Sequence, residues 1–211
     1  MKAGADLPPV EYLQTRRTAR LAHLGHRDAS RSLWMCLHGY RQLAPWFLRH
    51  FRGLDDGTRR MVAPEALNRF YVGDPDGRHG IETRVGATWM TREARESEID
   101  DYAHYLSVAL KAQGRKERPL VALGFSQGAH TVSRWVLRER IAPRIVILWG
   151  EGLPHDVDED ALTTLDTCWV LVRGEADRSR EPRREERDHA RLTAAEAHWH
   201  VRPHPGGHRI A

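Results

Sequence analysis

Five residues, Gly124-Phe125-Ser126-Gln127-Gly128, constrain this chain more than any other segment. An apolar run at 120–123 precedes them and reads as a buried strand; residues 127–138 follow and read as a helix. A Gly-x-Ser-x-Gly pattern between strand and helix marks a serine on a sharp, strained turn that pushes its hydroxyl above the end of a sheet. The two glycines leave room for strand and helix to pass closely. The helix N-terminus favours the negative charge that develops beside such a serine.

The rest of the chain supplies the sheet this turn requires. Short apolar runs alternate with longer amphipathic ones, the pattern of an α/β domain. Strands are predicted at 18–23 (antiparallel at the sheet edge), 32–37, 60–63, 144–149, 167–173 and 198–202. The run at 144–149 is apolar after its first residue, as expected of a central parallel strand. Helices are predicted at 45–51, 93–113, 127–138 and 183–195. In the helix at 93–113, Ile99, Tyr102, Ala103, Leu106, Ala109 and Leu110 recur at helical spacing. Thr91 and Glu93 would cap its start and Gly114 would close it. Residues 64–91 read as one long loop, ordered by Phe70, Tyr71, Trp89 and Met90. The cluster Asp156, Asp158, Glu159 and Asp160 would cap or solvate a short helix.

The expected organisation is a single domain over residues 1–211, with residues 1–16 as an N-terminal extension. A hydrophobic share of 40% is enough for a core, and 29% charged residues is ordinary for a soluble protein. No apolar run approaches the ~20 residues of a membrane helix, and the N-terminus lacks the apolar stretch of a signal peptide. A cytoplasmic protein is the expectation. The net charge of +4 is spread among acidic residues with no dense basic patch, which argues against a nucleic-acid partner. Cys36 and Cys168 lie in strand-like runs and read as buried structural thiols. Nothing in the spacing of Cys and His demands a metal, and no cofactor is expected. His198 and His200 share one face of the last strand without further ligands. The oligomeric state is not legible.

An acid and a base should follow the serine, in the order serine, acid, histidine. The loop after the strand at 167–173 is Gly174-Glu175-Ala176-Asp177, where Asp177 is the first choice and Glu175 the rival. The last strand leads to Gly206-Gly207-His208. A histidine there can swing over the sheet, so His208 is the base, with His204 as rival; His189 falls on a charged helix. Leu37-His38-Gly39-Tyr40 follows an early strand, and its turn would aim the Tyr40 N–H at the same oxyanion as the Gln127 N–H. His38 precedes the serine and reads as a turn-stabilising side chain. Trp46, Phe47, Tyr71, Trp89 and Met90 are candidates for an apolar substrate pocket.

With these residues in view, the chain resembles the phospholipase/carboxylesterase family of small α/β-hydrolases, which includes acyl-protein thioesterases. The carriers are Leu37-His38-Gly39, Gly124-Phe125-Ser126-Gln127-Gly128, Gly174-Glu175-Ala176-Asp177 and Gly206-Gly207-His208, with Ala63-Pro64 and Trp89 in support. The resemblance implies an α/β-hydrolase fold, a mostly parallel sheet with helices on both faces. It implies a triad of Ser126, Asp177 and His208, an oxyanion hole from Tyr40 and Gln127, and small-molecule ester substrates, including thioesters or lysophospholipids. Three departures stand out. Tyr40-Arg41-Gln42 replaces a small residue followed by Gly-Asp. Arg178-Ser179-Arg180-Glu181-Pro182 replaces a Val-Pro pair after the acid. Members of the family usually carry a helix after the catalytic histidine; this sequence runs three residues past His208, so either the helix is absent or the sequence is truncated. The other readings are a catalytically silent binding protein and a lactonase or acyltransferase of the same fold.

Overall fold

The computed structural model describes residues 8–28, 30–73, 80–114 and 118–211. The outer part of the expected N-terminal extension, residues 1–7, and the middle of the expected loop, 74–79, lie outside the described residues. Residues 8–20 form no helix or strand and are almost all exposed.

Among the described residues, nine strands and five α-helices follow in chain order: β1 (Leu21–Leu24), β2 (Ser32–Leu37), α1 (Ala44–Leu48), β3 (Arg59–Pro64), β4 (Asn68–Tyr71), β5 (Val85–Thr88), α2 (Arg95–Ala112), β6 (Leu120–Phe125), α3 (Gln127–Arg138), β7 (Ile145–Trp149), α4 (Glu159–Thr164), β8 (Cys168–Gly174), α5 (Pro182–Ala194) and β9 (His198–His204). Seven strands form one sheet in the order β1-β3-β2-β6-β7-β8-β9. Only β1 runs antiparallel, against β3; β2, β3, β6, β7, β8 and β9 are mutually parallel. This is the α/β-hydrolase architecture expected from the sequence.

The centre of the sheet is where apolar runs are unbroken. All six residues of β6 are buried, because parallel neighbours flank it and both faces are covered. On one face, α2, α3, α4 and α5 pack over Leu33, Met35, Leu37, Ala122, Val146, Leu148, Trp169 and Leu171. Helix α2 buries the six residues that the periodicity singled out, each large aliphatic contributing about 1.5–3 kcal/mol. On the other face, Phe47, Leu48 and Phe51 of α1 and the 3-10 turn Arg49–Leu54 cover Cys36, Met61, Ala63, Leu123 and Phe125. Trp34, Ile147 and Trp149 continue this second face half-buried.

Some local expectations need correction. The long loop contains a two-stranded sheet of its own, β4 paired antiparallel with β5. Its strands are four residues each, too short and too mixed to show a clear alternation. The predicted cap of α2 is different: Ala94 occupies the cap position in a left-handed conformation, with no side-chain cap. Glu98 instead reaches back to accept from the Thr91 N–H at 2.7 Å. The cap of α4 is as read, with Asp158 accepting from the Ala161 N–H at 3.1 Å. Cys36 is fully buried, which pushes its thiol up to about 12; Cys168 is half-exposed, and both are free thiols.

Candidate active site

The chain passes from β2 to β3 on one side of the sheet and later to β6 on the other. The carboxyl ends of β2 and β6 are therefore the topological switch point, the place where open α/β sheets bind ligands. Ser126 stands at the end of β6 with φ 54° and ψ −121°, a conformation that costs an L-residue energy and is retained where the surroundings dictate it. Its N–H donates to the carbonyl of Trp149 at 2.8 Å, which ties the turn to β7. A Cβ on Gly124 would lie 2.1 Å from the Gly128 carbonyl oxygen, and one on Gly128 would lie 2.3 Å from that of Leu37. Both glycines are thus required by close backbone approach.

The loop after β2 lies against the serine. A Cβ on Gly39 would sit 3.2 Å from the Cβ of Ser126. The loop is held by the Gln42 side chain, which accepts from the Gly39 N–H at 2.8 Å, and by the Arg41 N–H donating to the Ala87 carbonyl on β5 at 3.0 Å. Among the described residues, neither the Tyr40 N–H nor the Gln127 N–H donates to a protein acceptor. His38 is buried under this turn. It accepts from the Ala66 N–H at Nε2, 3.0 Å away, which leaves Nδ1 to donate to the Gly39 carbonyl at 2.8 Å. Burial pushes its pKa down to about 4. It is a neutral structural bracket, as the sequence order suggested.

The Gln127 side chain has a separate task. Its Nε2 donates to the Met90 carbonyl at 3.0 Å and to Thr88 Oγ1 at 2.8 Å, while its Oε1 accepts from the Trp89 N–H at 3.1 Å. The segment after β5 is thereby fastened to the start of α3. Trp89 points down from it into the core, 1% exposed, and its Nε1 donates to the His38 carbonyl at 2.8 Å. Trp89 and the fully buried Phe47 are therefore core residues and present no surface to a pocket, contrary to expectation. Trp46 and Tyr71 are exposed, and Met90 is partly exposed. Tyr40 is also exposed and stacks on Phe70 with ring centroids 5.4 Å apart.

Asp177 and His208 meet. His208 Nδ1 donates to Asp177 Oδ2 at 2.8 Å. The imidazole lies 5.1 Å from the Phe125 ring and close over Gly150, where a Cβ would lie 3.0 Å from its Cε1. Burial raises the Asp177 pKa, but hydrogen bonds from Ser179 and His208 outweigh it, and the carboxyl stays below its ordinary range. Among the described residues, no hydrogen bond joins Ser126 Oγ to His208, a link that is often loose before substrate binds. The rivals are elsewhere. Glu175 is exposed, with its N–H on the His204 carbonyl at 2.8 Å. His204 accepts from the Gly206 N–H at 3.1 Å, and His189 stacks on Trp199 at 4.6 Å. His198 and His200 are exposed at the start of β9, the far end of the sheet. Among the described residues, no three His, Cys, Asp or Glu side chains gather as metal ligands, and no helix is long and apolar enough to cross a membrane.

Sequence reasoning passed over Ser179. Its N–H and hydroxyl both reach Asp177 Oδ1, at 2.9 and 2.6 Å. The signal was present: Asp-x-Ser is a pattern in which the Asp side chain accepts from the backbone two residues on.

No protein-family model matches the chain, and no curated sequence matches it. Solved structures do. A carboxylesterase from Mesorhizobium loti is similar with a TM-score of 0.70 at 23% identity, over 92% of this chain and 88% of that one. Acyl-protein thioesterase 2 from Zea mays is similar with a TM-score of 0.68 at 14% identity, over 92% and 93%. A phospholipase/carboxylesterase from Dyadobacter fermentans follows with 0.65 at 16% identity, over 94% and 93%. These are proteins of the kind the sequence resembles, and at such identities the likeness establishes the α/β-hydrolase fold.

Proposed function

We propose that the chain is a serine hydrolase that cleaves carboxylic esters, including thioesters, through an acyl-enzyme on Ser126. The observation that carries this reading is the 2.8 Å bond from His208 Nδ1 to Asp177 Oδ2, with the imidazole 5.1 Å from the ring of Phe125, the residue that precedes a serine held at positive φ at the end of β6. With Nδ1 committed to the carboxylate, Nε2 carries the lone pair that takes the Ser126 proton as the hydroxyl attacks the carbonyl carbon. Asp177 orients the ring and stabilises the imidazolium. The Tyr40 and Gln127 N–H groups receive the oxyanion; each such donor is worth about 3–4 kcal/mol in the transition state. The imidazolium then protonates the departing alcohol or thiol, and the same base activates the water that releases the acid. The mechanism calls for no cofactor. Similarity to esterases and a thioesterase supports a small-molecule ester as substrate, and a cytoplasmic location belongs to the same reading.

The test is hydrolysis of p-nitrophenyl acetate, butyrate and octanoate by the protein and by Ser126→Ala, with fluorophosphonate labelling of both. Turnover and labelling that vanish in the variant are the expected result. Turnover that survives Ser126→Ala, or a folded protein that neither turns over nor labels, would sink the assignment.

A further inference from the structure

Ser179 belongs to the segment Arg178-Ser179-Arg180-Glu181-Pro182, which stands where the family resemblance implied a Val-Pro pair after the acid, in the loop between β8 and α5. Its hydroxyl donates to Asp177 Oδ1 at 2.6 Å, and its backbone N–H donates to the same oxygen at 2.9 Å. The same hydroxyl oxygen lies 3.1 Å from His208 Nδ1. With its proton on Asp177, that oxygen has a lone pair facing the Nδ1–H. The His208 proton is thus shared between Asp177 Oδ2 at 2.8 Å and Ser179 Oγ at 3.1 Å.

We propose that Ser179 is a positioning residue of the triad: its hydroxyl fixes the Asp177 carboxylate so that Oδ2 alone faces His208, and closes a three-membered ring of hydrogen bonds around Nδ1. The proposal rests on the serine-hydrolase reading. The geometry argues for it in two ways. Both donors of Ser179 converge on Oδ1 while His208 takes Oδ2, so tilting the carboxylate out of this plane would break the two Ser179 hydrogen bonds. The Asp177 side chain is also almost fully buried, 2% exposed, while Ser179 itself is exposed, so in the intact loop Ser179 and not solvent satisfies Oδ1. A valine or leucine at this position would keep the backbone bond and lose the hydroxyl.

The test compares Ser179→Ala and Ser179→Thr with the unaltered protein, in the wild-type and Asp177→Ala backgrounds. On p-nitrophenyl butyrate, Ser179→Ala should lower kcat about tenfold, the scale of one hydrogen bond to a charged group, with KM within about twofold. Ser179→Thr should restore most of the loss. In the Asp177→Ala background, Ser179→Ala should cost less than about twofold, since the residue acts through Asp177. A second readout needs no activity. The His208 Nδ1 proton, followed by NMR in protein carrying 15N-labelled histidine, should lie downfield in the unaltered protein, move in Ser179→Ala and return in Ser179→Thr. A kcat loss of equal size in both backgrounds, or an Nδ1 proton that ignores Ser179→Ala, would overturn the proposal. If the unaltered protein fails to hydrolyse esters, the esterase reading fails, and the NMR comparison still decides the role of Ser179.

Discussion

The carbonyl oxygen of Leu37, at the end of β2, sits 2.3 Å from where a Cβ on Gly128 would be, and that of His38 sits at 2.7 Å. The first turn of α3 therefore rides directly on the backbone of the loop expected to bind the oxyanion. Backbone atoms cannot rotate aside as a flexible side chain can. Gly128→Ala should cost about 3 kcal/mol, the upper end of the usual range for overpacking, and it should do so by pushing the Gly39–Tyr40 segment away from Ser126. Urea denaturation and esterase assays on one sample check this. A variant as stable and active as the parent would mean that the Leu37–His38 backbone yields to an added methyl without disturbing the loop.

Ser126 sets stability against function. Its φ of 54° is a region that only glycine enters freely, and an L-residue there bears about 1–3 kcal/mol of strain. Ser126→Gly should relieve that strain, less the roughly 0.5–1 kcal/mol that glycine loses in chain entropy. The expected result is an inactive protein about 1 kcal/mol more stable than its parent, a rise in Tm of roughly 2–4 °C for a chain of this size. Calorimetry is the measurement, and a fall in Tm would place the strain elsewhere.

Trp89 and Met90 are neighbours with different consequences. The Trp89 indole is buried, packed at 5.1 Å from the His38 ring and bonded to its carbonyl. Trp89→Ala should destabilise by about 3–5 kcal/mol and leave the acyl-chain profile of surviving activity unaltered. Met90→Ala should change stability little and shift the chain-length preference if Met90 lines the substrate pocket. Hydrolysis rates across acetate, butyrate and octanoate, read beside the melting temperatures, separate the two.

The difference between these neighbours shows where sequence reading reached and where it stopped. The elbow was legible because its constraint is local: strand, two glycines, serine and helix are contiguous. The pairing of Asp177 with His208 was legible because each follows a strand in a fixed chain order. The direction in which Trp89 points was not, because it depends on Gln127, 38 residues away, fastening its backbone. Ser179 was missed for a related reason: its meaning comes from His208, 29 residues later. The β4–β5 pair was hidden by its shortness, since four-residue strands carry too little alternation to be told from a loop.

His38 predicts how the fold responds to acid. Folding buries the ring and lowers its pKa from 6.5 to about 4, so between those values the unfolded chain binds a proton that the folded chain refuses. Stability from this residue is complete above pH 6.5 and is lost as pH falls toward 4, at about 1.4 kcal/mol per pH unit. Asp177 and Glu65, both held below their ordinary values by hydrogen bonds that outweigh burial, add their losses only below the normal carboxylate range. His38→Gln keeps a side-chain acceptor and donor but does not titrate. Urea unfolding at pH 6.5, 5.5 and 4.5 should give a steep fall for the parent and a slope shallower by about 1.4 kcal/mol per unit for His38→Gln. Parallel slopes would show that His38 takes up its proton inside the folded protein, and that the bracket beneath the Gly39–Tyr40 turn is open to water.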